Sequence, residues 1–238
     1  MNKLAKILSD KNTVIPFITC GDPDLATTVE CIRSAVKAGA GLVELAIPFS
    51  DPTAEGPVLQ ESYDRSLAAG TTTDAVFDML LNVQKELNVP FALMTYANVV
   101  FSYGSERFFS KCKQCNVLAI LIPDIPYEEK DEFLADCKKN DVALISFVAP
   151  ATKERVSRIV SEADGFLYTT PSMIPLCREL SSLPCLVNGD SAAESGDTAL
   201  LSEADGILYD VSFTKVLAEY KEKAPAKLAA LMTEKRSL

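Results

Sequence analysis

The 238-residue sequence predicts an α/β fold, a single-domain (β/α)8 (TIM) barrel. Three observations predict it. Eight short β-rich runs alternate with helix-period segments along the whole length. The runs are apolar throughout rather than alternating, as strands are when helices cover them. No linker or low-complexity stretch interrupts the chain, so the barrel is expected to take up residues 1–238 as one domain. The competing doubly wound sheet would usually carry a GxGxxG turn after its first strand, and nothing like it stands there.

In chain order, a short helix over 2–9 precedes the first strand, Val14–Thr19. Pro16 sits awkwardly inside that strand because it has no N–H to give to a ladder. Val29, Ile32 and Val36 share one helical face before the second strand, Leu42–Ala46. Val76, Met79, Leu80, Val83 and Leu87 form the next apolar stripe, ahead of the strand Phe91–Thr95. Gly104, in YGSERFF, marks the turn into the third helix. The strands Val117–Ile122 and Val142–Val148 follow, then a helix with Val156, Ile159, Val160 and Ala163 on one face. The last strands are Gly165–Thr169, Cys185–Val187 and Gly206–Tyr209. Between the first two of these, Thr170–Pro184 leaves little room for a helix, so a thin wall is expected there.

Composition narrows the function classes. Net charge is −10, with no Lys/Arg block, which excludes a nucleic-acid partner held by phosphate contacts. No apolar run approaches a membrane span. The N-terminus, MNKLAKILSDKN, has no continuous apolar core of a signal peptide, and seven scattered cysteines read as reduced thiols, so a cytoplasmic location is expected. Cys112 and Cys115 form a CxxC without a partner pair; two half-buried helix cysteines is the better reading than a metal or redox site. Histidine is absent, which excludes Ser-His-Asp, Cys-His and His-ligated metal chemistry. No metal or cofactor is expected. Acid–base work falls to carboxylates, Lys, Tyr or Cys.

Barrel enzymes carry their chemistry at the C-terminal ends of the strands. Four polar positions fall there: Asp22, Glu44, Asp124 and Tyr168. Glu44 stands among Val43, Leu45 and Ala46, so a buried carboxyl with a raised pKa and a paired rim carboxylate are both open. Asp22 and Asp51 precede prolines and read as Asx-turn residues, and Asp124 as a turn residue. Gly56, beside a second carboxylate at Glu55, suggests a loop that can move.

The stretches IPFITCGDPD, VELAIPFSDPTAEGPVLQ, LAAGTTTD, MTYANVVF and LIPDIPYEE, in this order and spacing, resemble the tryptophan synthase α subunit family across about the first 168 residues. The resemblance implies a (β/α)8 lyase of tryptophan biosynthesis that cleaves indole-3-glycerol phosphate to indole and glyceraldehyde 3-phosphate and works with a β subunit. It implies that Glu44 is the general acid/base and that Glu55, where the family more often has Asp, accepts the indole N–H. It implies substrate contacts from Phe17, Asn98, Leu121 and Tyr168. It places the β-facing surface at Pro52 to Pro57 and Asn98–Phe101.

The last third departs from that family at its phosphate end. TTPSMIPLC has no glycine; LVNGDS keeps only Gly189 and sets Asp190 beside it; YDVSFTK has Asp210 and Val211 where Gly and Ser would match. Each carboxylate repels a dianion by roughly 1 kcal/mol or more at several ångströms. Gly189, Ser191 and Ser212, with Lys215, are the candidates for a rebuilt phosphate site. Two alternatives stand beside the lyase: an impaired relative acting as partner of a β subunit, and a lyase for an indole substrate without phosphate.

Overall fold

The computed structural model describes residues 3–9 and 13–236. Helix α1 (Lys3–Ile7) leads in; the expected start of this helix at residue 2 lies outside the described residues. The strands are β1 (Thr13–Thr19), β2 (Val43–Ala46), β3 (Phe91–Met94), β4 (Val117–Leu121), β5 (Ala143–Leu144), β6 (Ser146–Val148), β7 (Leu167–Thr169), β8 (Cys185–Asn188) and β9 (Gly206–Tyr209). All neighbours are parallel, in the order β5-β4-β3-β2-β1-β9-β8-β7-β6. The ends of that order, β5 and β6, are joined through Ile145 alone, so the ring closes along the chain. The predicted strand Val142–Val148 is thus two pieces, because its first half bonds only to β4 and its second only to β7. Nine described strands occupy the eight positions of the barrel.

Outside the ring run α2 (Leu25–Lys37), α3 (Pro57–Ala68), α4 (Thr73–Glu86), α5 (Ala97–Tyr103), α6 (Ser105–Gln114), α7 (Asp131–Lys139), α8 (Lys153–Ser161), α9 (Ile174–Leu180), α10 (Gly189–Ser195), α11 (Val211–Tyr220) and α12 (Ala224–Lys235). The last of these, α12, packs on α2, so the final and first helices of the wall are neighbours. The thin wall expected before β8 is there: a 3-10 turn, Pro171–Met173, leads into the seven-residue α9. Gly104 separates α5 from α6 at a φ of 91°, which an L side chain rarely adopts.

Period-two alternation sorts the strand residues. Val14, Ile18, Val43, Leu45 and Ile120 face the helices. Ile15, Phe17, Ala46, Ala92, Ala119 and Leu208 fill the interior, and Leu4 and Leu8 from the N-terminal segment join them. Leu4 lies over Gly165 and Leu8 over Gly206, where a Cβ would come within 3.0 Å of each, so this segment plugs the N-terminal mouth. Pro16 costs no ladder bond. Cys20 N–H donates to Ala46 O, so by alternation the donor missing at position 16 would face Leu42, ahead of the first β2 pairing at Val43.

Candidate active site

Register places the central carboxylate. Pro16 pairs with Tyr209 and Phe17 with Glu44, so Asp210, Phe17 and Glu44 stand at one level on three adjacent strand lines. Alternation turns all three inward. Glu44 is 4% exposed, and its Oε1 is buried without a hydrogen-bond partner. Burial, and after it the Asp210 charge, pushes its carboxyl up to about 8. This is the buried acid of the two readings, not the paired rim carboxylate. Thr19, two residues beyond Phe17 on the same inward face, likewise has a buried Oγ1 without a partner. Tyr168, the middle residue of β7, is half-buried; burial raises its phenol well above the ordinary value, followed by the charges of Glu44 and Asp210, while a side-chain hydrogen bond with Asn188 opposes them. Phe17 and Leu121 are apolar surfaces in the same interior.

Glu55 belongs to the loop after β2, and Tyr96 holds that loop. The Tyr96 hydroxyl accepts from Thr53 N–H at 2.8 Å and Ala54 N–H at 2.9 Å and donates to Glu55 Oε2. Its ring stacks on Phe49 at 5.0 Å. Tyr63 O–H lies 3.4 Å from Glu55 Oε1 and is buried, and its phenol is raised by burial and then by the nearby Glu55 charge, with Glu44 a further contributor. Glu55 itself is raised by burial, against the pull of Tyr96. The loop is therefore pinned rather than free. Gly56 has an ordinary φ of −75° and opens α3, with Pro57 in its first turn. Tyr96, Tyr63 and Thr19 were not singled out by the sequence. Tyr96 carried a usable signal, an aromatic residue just past the C-terminal end of β3.

The other polar candidates are structural. Asp22, read as an Asx-turn residue, is instead a buried ion-pair partner: Arg65 grips it through Nε at 2.9 Å and a terminal nitrogen at 2.7 Å, and Ser62 donates to it, tying the loop after β1 to α3. The turn role belongs to Asp24, which caps α2 by accepting from Thr27 N–H at 2.7 Å. Asp51 is exposed and accepts from Ser50. Asp124 caps α5 from a neighbouring loop, accepting from Ala97 N–H at 3.0 Å. Asn98 is exposed on α5, where Ser102 donates to it, and the structure does not bring it to the carboxylates. Cys112 and Cys115 are fully buried rather than half-buried, and burial raises both thiols. Among the described residues no group of three or more His, Cys, Asp or Glu could hold a metal ion.

At the far side of the mouth, α11 begins against α10. Asp210 caps α11, accepting from Val211 N–H at 2.6 Å, and receives Asn188 Nδ2 at 2.7 Å. Asp190 accepts Ser212 N–H at 2.9 Å and the Ser212 hydroxyl. Asn188 Oδ1 in turn caps α10 through Ser191 N–H at 2.9 Å. Burial raises Asp210, while its hydrogen bonds to Val211 and Asn188 lower it. Gly189 serves packing: a Cβ there would lie 2.3 Å from Tyr209 Cε1. Ser191 and Lys215 are exposed, and both Ser212 donors are engaged.

The family model described as tryptophan synthase alpha chain matches residues 4–173. The chain belongs to the tryptophan synthase alpha chain family. The tryptophan synthase alpha chain of Lacticaseibacillus casei is 35% identical over 243 residues, covering 95% of this chain and 91% of the relative. That of Desulfosudis oleivorans is 35% identical over 227 residues, covering 88% and 85%. Among solved structures, a tryptophan synthase complex from Pyrococcus furiosus superposes with TM-score 0.87 at 26% identity, covering 96% of this chain and 99% of that one. The alpha chain from Legionella pneumophila does so with TM-score 0.85 at 29% identity, covering 100% and 97%. The family match stops at residue 173 while the fold match runs on. The fold of the solved relatives continues through β8 and β9, as does the sequence match to the Lacticaseibacillus casei relative.

Proposed function

We propose that this member of the family cleaves indole-3-glycerol phosphate to indole and glyceraldehyde 3-phosphate, with Glu44 as general acid/base. The observation that carries the reading is Glu44 itself, a carboxyl at the barrel mouth that is buried, unbonded at Oε1 and raised to about 8. A carboxyl that keeps its proton at neutral pH can give it to a carbon atom. Glu44 protonates indole C3. The bond from C3 to the glycerol carbon then breaks as a retro-aldol, its electron pair restoring the ring. The glycerol hydroxyl becomes the aldehyde as Glu44 recovers a proton from it. Glu55, oriented by Tyr96 and Tyr63, accepts the indole N–H and stabilises the positive charge that develops on the ring. Phe17 and Leu121 line the indole slot, Tyr168 closes it beside Glu44, and the α10–α11 junction with Gly189, Ser191 and Ser212 faces the phosphate end. Asn98 lies outside this pocket and belongs to the exposed surface of α5.

The partner is a tryptophan synthase β subunit. The Pyrococcus furiosus protein is described as part of an α2β2 complex with mutual activation, which supports the assignment. The seven cysteines are all unpaired and buried, which supports a cytoplasmic location. An impaired relative has no need of a buried acid with an unbonded oxygen, since each buried unpaired polar group is destabilising. The test is indole release from indole-3-glycerol phosphate by the purified chain, with and without a β subunit. Release that disappears in Glu44→Gln supports the reading, and release that survives refutes it.

A further inference from the structure

The N-terminal turn of α11 is where the phosphate has most to gain. Barrels of this architecture frequently hold phosphate in the loops after their last two strands and at a helix N-terminus. The N–H groups and positive dipole end of a ten-residue helix suit an anion. Here those donors are engaged by the chain's own carboxylates. Val211 N–H goes to Asp210, which is the cap of the helix and part of the turn. Ser212 N–H and the Ser212 hydroxyl go to Asp190, which reaches across from the first turn of α10. A second observation points to a ligand beside this turn: Glu44 Oε1 and Thr19 Oγ1 are buried and unpartnered in the same mouth. Glu44 is at the level of Asp210, two strand spacings away across Phe17, roughly 10 Å. A molecule that satisfies Glu44 at one end therefore arrives at α11 with the other.

We propose that Asp190 is an internal anion seated where the substrate's phosphate binds, and that it must be displaced for the phosphate to take Ser212, so that Asp190 sets the affinity for the phosphorylated tail. This rests on the lyase reading above. Asp210 differs in kind: it braces Asn188 and caps its own helix, so it stays when Asp190 leaves.

The probe is inorganic phosphate, titrated calorimetrically into wild type, Asp190→Ala and Asp190→Asn at fixed pH and ionic strength, beside steady-state indole formation. Asp190→Ala vacates Ser212 and removes a charge; it should bind phosphate about tenfold more tightly or better. Asp190→Asn keeps an acceptor for Ser212 but loses the charge, and should fall between. KM for indole-3-glycerol phosphate should drop in the same order, by more than kcat changes. Equal phosphate affinity in all three proteins, or weaker binding in both variants, overturns the proposal. If Asp190→Ala does not fold, the nearly isosteric Asp190→Asn decides the matter. If none of the three releases indole while phosphate affinity still rises across the series, the lyase reading fails and the role of Asp190 stands.

Discussion

Glu44 is an acid kept out of water, and its proton couples chemistry to stability. Its folded pKa, about 8, exceeds the ordinary 4.5, so between these values the native chain holds a proton that the unfolded chain has lost. The stabilisation from this group is complete below pH 4.5 and declines as pH rises to about 8. Glu44→Gln removes that decline. Its unfolding free energy should gain on wild type steadily from pH 5 to pH 8, by on the order of a few kcal/mol at the upper end, read from urea unfolding at each pH. The same substitution should lower indole formation about 10²–10⁴-fold. In wild type kcat/KM should fall above about pH 8 as Glu44 ionises. Tyr96→Phe tests the second carboxylate. It deletes the oxygen that Thr53, Ala54 and Glu55 share. Two N–H groups of exposed loop residues then lose their acceptor, at about 0.5–1.5 kcal/mol for each hydrogen bond. Thermal melting should show that loss, and kcat/KM should fall about tenfold or more as Glu55 loses its orientation. Glu44 and Glu55 were legible in the sequence because carboxylates are conspicuous beside Val43, Leu45 and Gly56. Tyr96 was not, because what makes it important is a loop forty-odd residues earlier in the chain that only the folded barrel brings to its hydroxyl.

Elements explain themselves by what lies beneath them. Helix α10 can start where it does because Gly189 leaves room for Tyr209, whose buried ring is flanked by Lys235 Nζ at 4.4 Å. Gly189→Ala puts a methyl 2.3 Å from Cε1, 2.5 Å from Cζ and 2.8 Å from Ile207 Cγ2, so the buried ring or the backbone must shift. Urea unfolding should show a loss of about 1–3 kcal/mol or more. In the sequence this glycine read as an anion-approach position, since a glycine needed for packing against a ring looks the same until the ring is placed. The strand of each barrel position was legible from apolar runs bounded by turn residues, and the short wall at α9 from the count of residues before β8. Local pattern did not reveal that Asp22 is a buried ion-pair partner. An Asp before a proline has a turn role by default, and Arg65, which overrides it, is 43 residues away.

At the scale of the molecule, one aromatic side chain of α5 stands exposed on the stretch expected to meet a β subunit. Phe101 is 49% exposed, against buried Val100 and half-buried Val99, and leans on Phe133 at 4.7 Å. The stretch Asn98–Phe101 is thus core at one residue and surface at another. Phe101→Glu should abolish co-elution with a β subunit on gel filtration. The isolated chain should lose only about 1 kcal/mol, the worth of one aromatic contact. A large drop in melting temperature would place Phe101 in the core instead. The eight-unit barrel was legible as a whole because its period runs through all described residues. Its closure was not, since Val142–Val148 is as apolar as any other run and nothing in it announces that Ile145 changes neighbours. That change has a dynamic consequence. On one side of the ring, β1 joins β2 and β9 through an uninterrupted seven-residue strand. On the other, the two halves of the wall meet only through fragments of two and three residues. Unzipping this seam breaks few backbone hydrogen bonds, so it should be the lowest opening within the barrel sheet. In deuterium exchange the amides of Ala143–Val148 should therefore open well before those of β1, with the free energy of a local event rather than of global unfolding. The barrel behaves as a ring with a clasp.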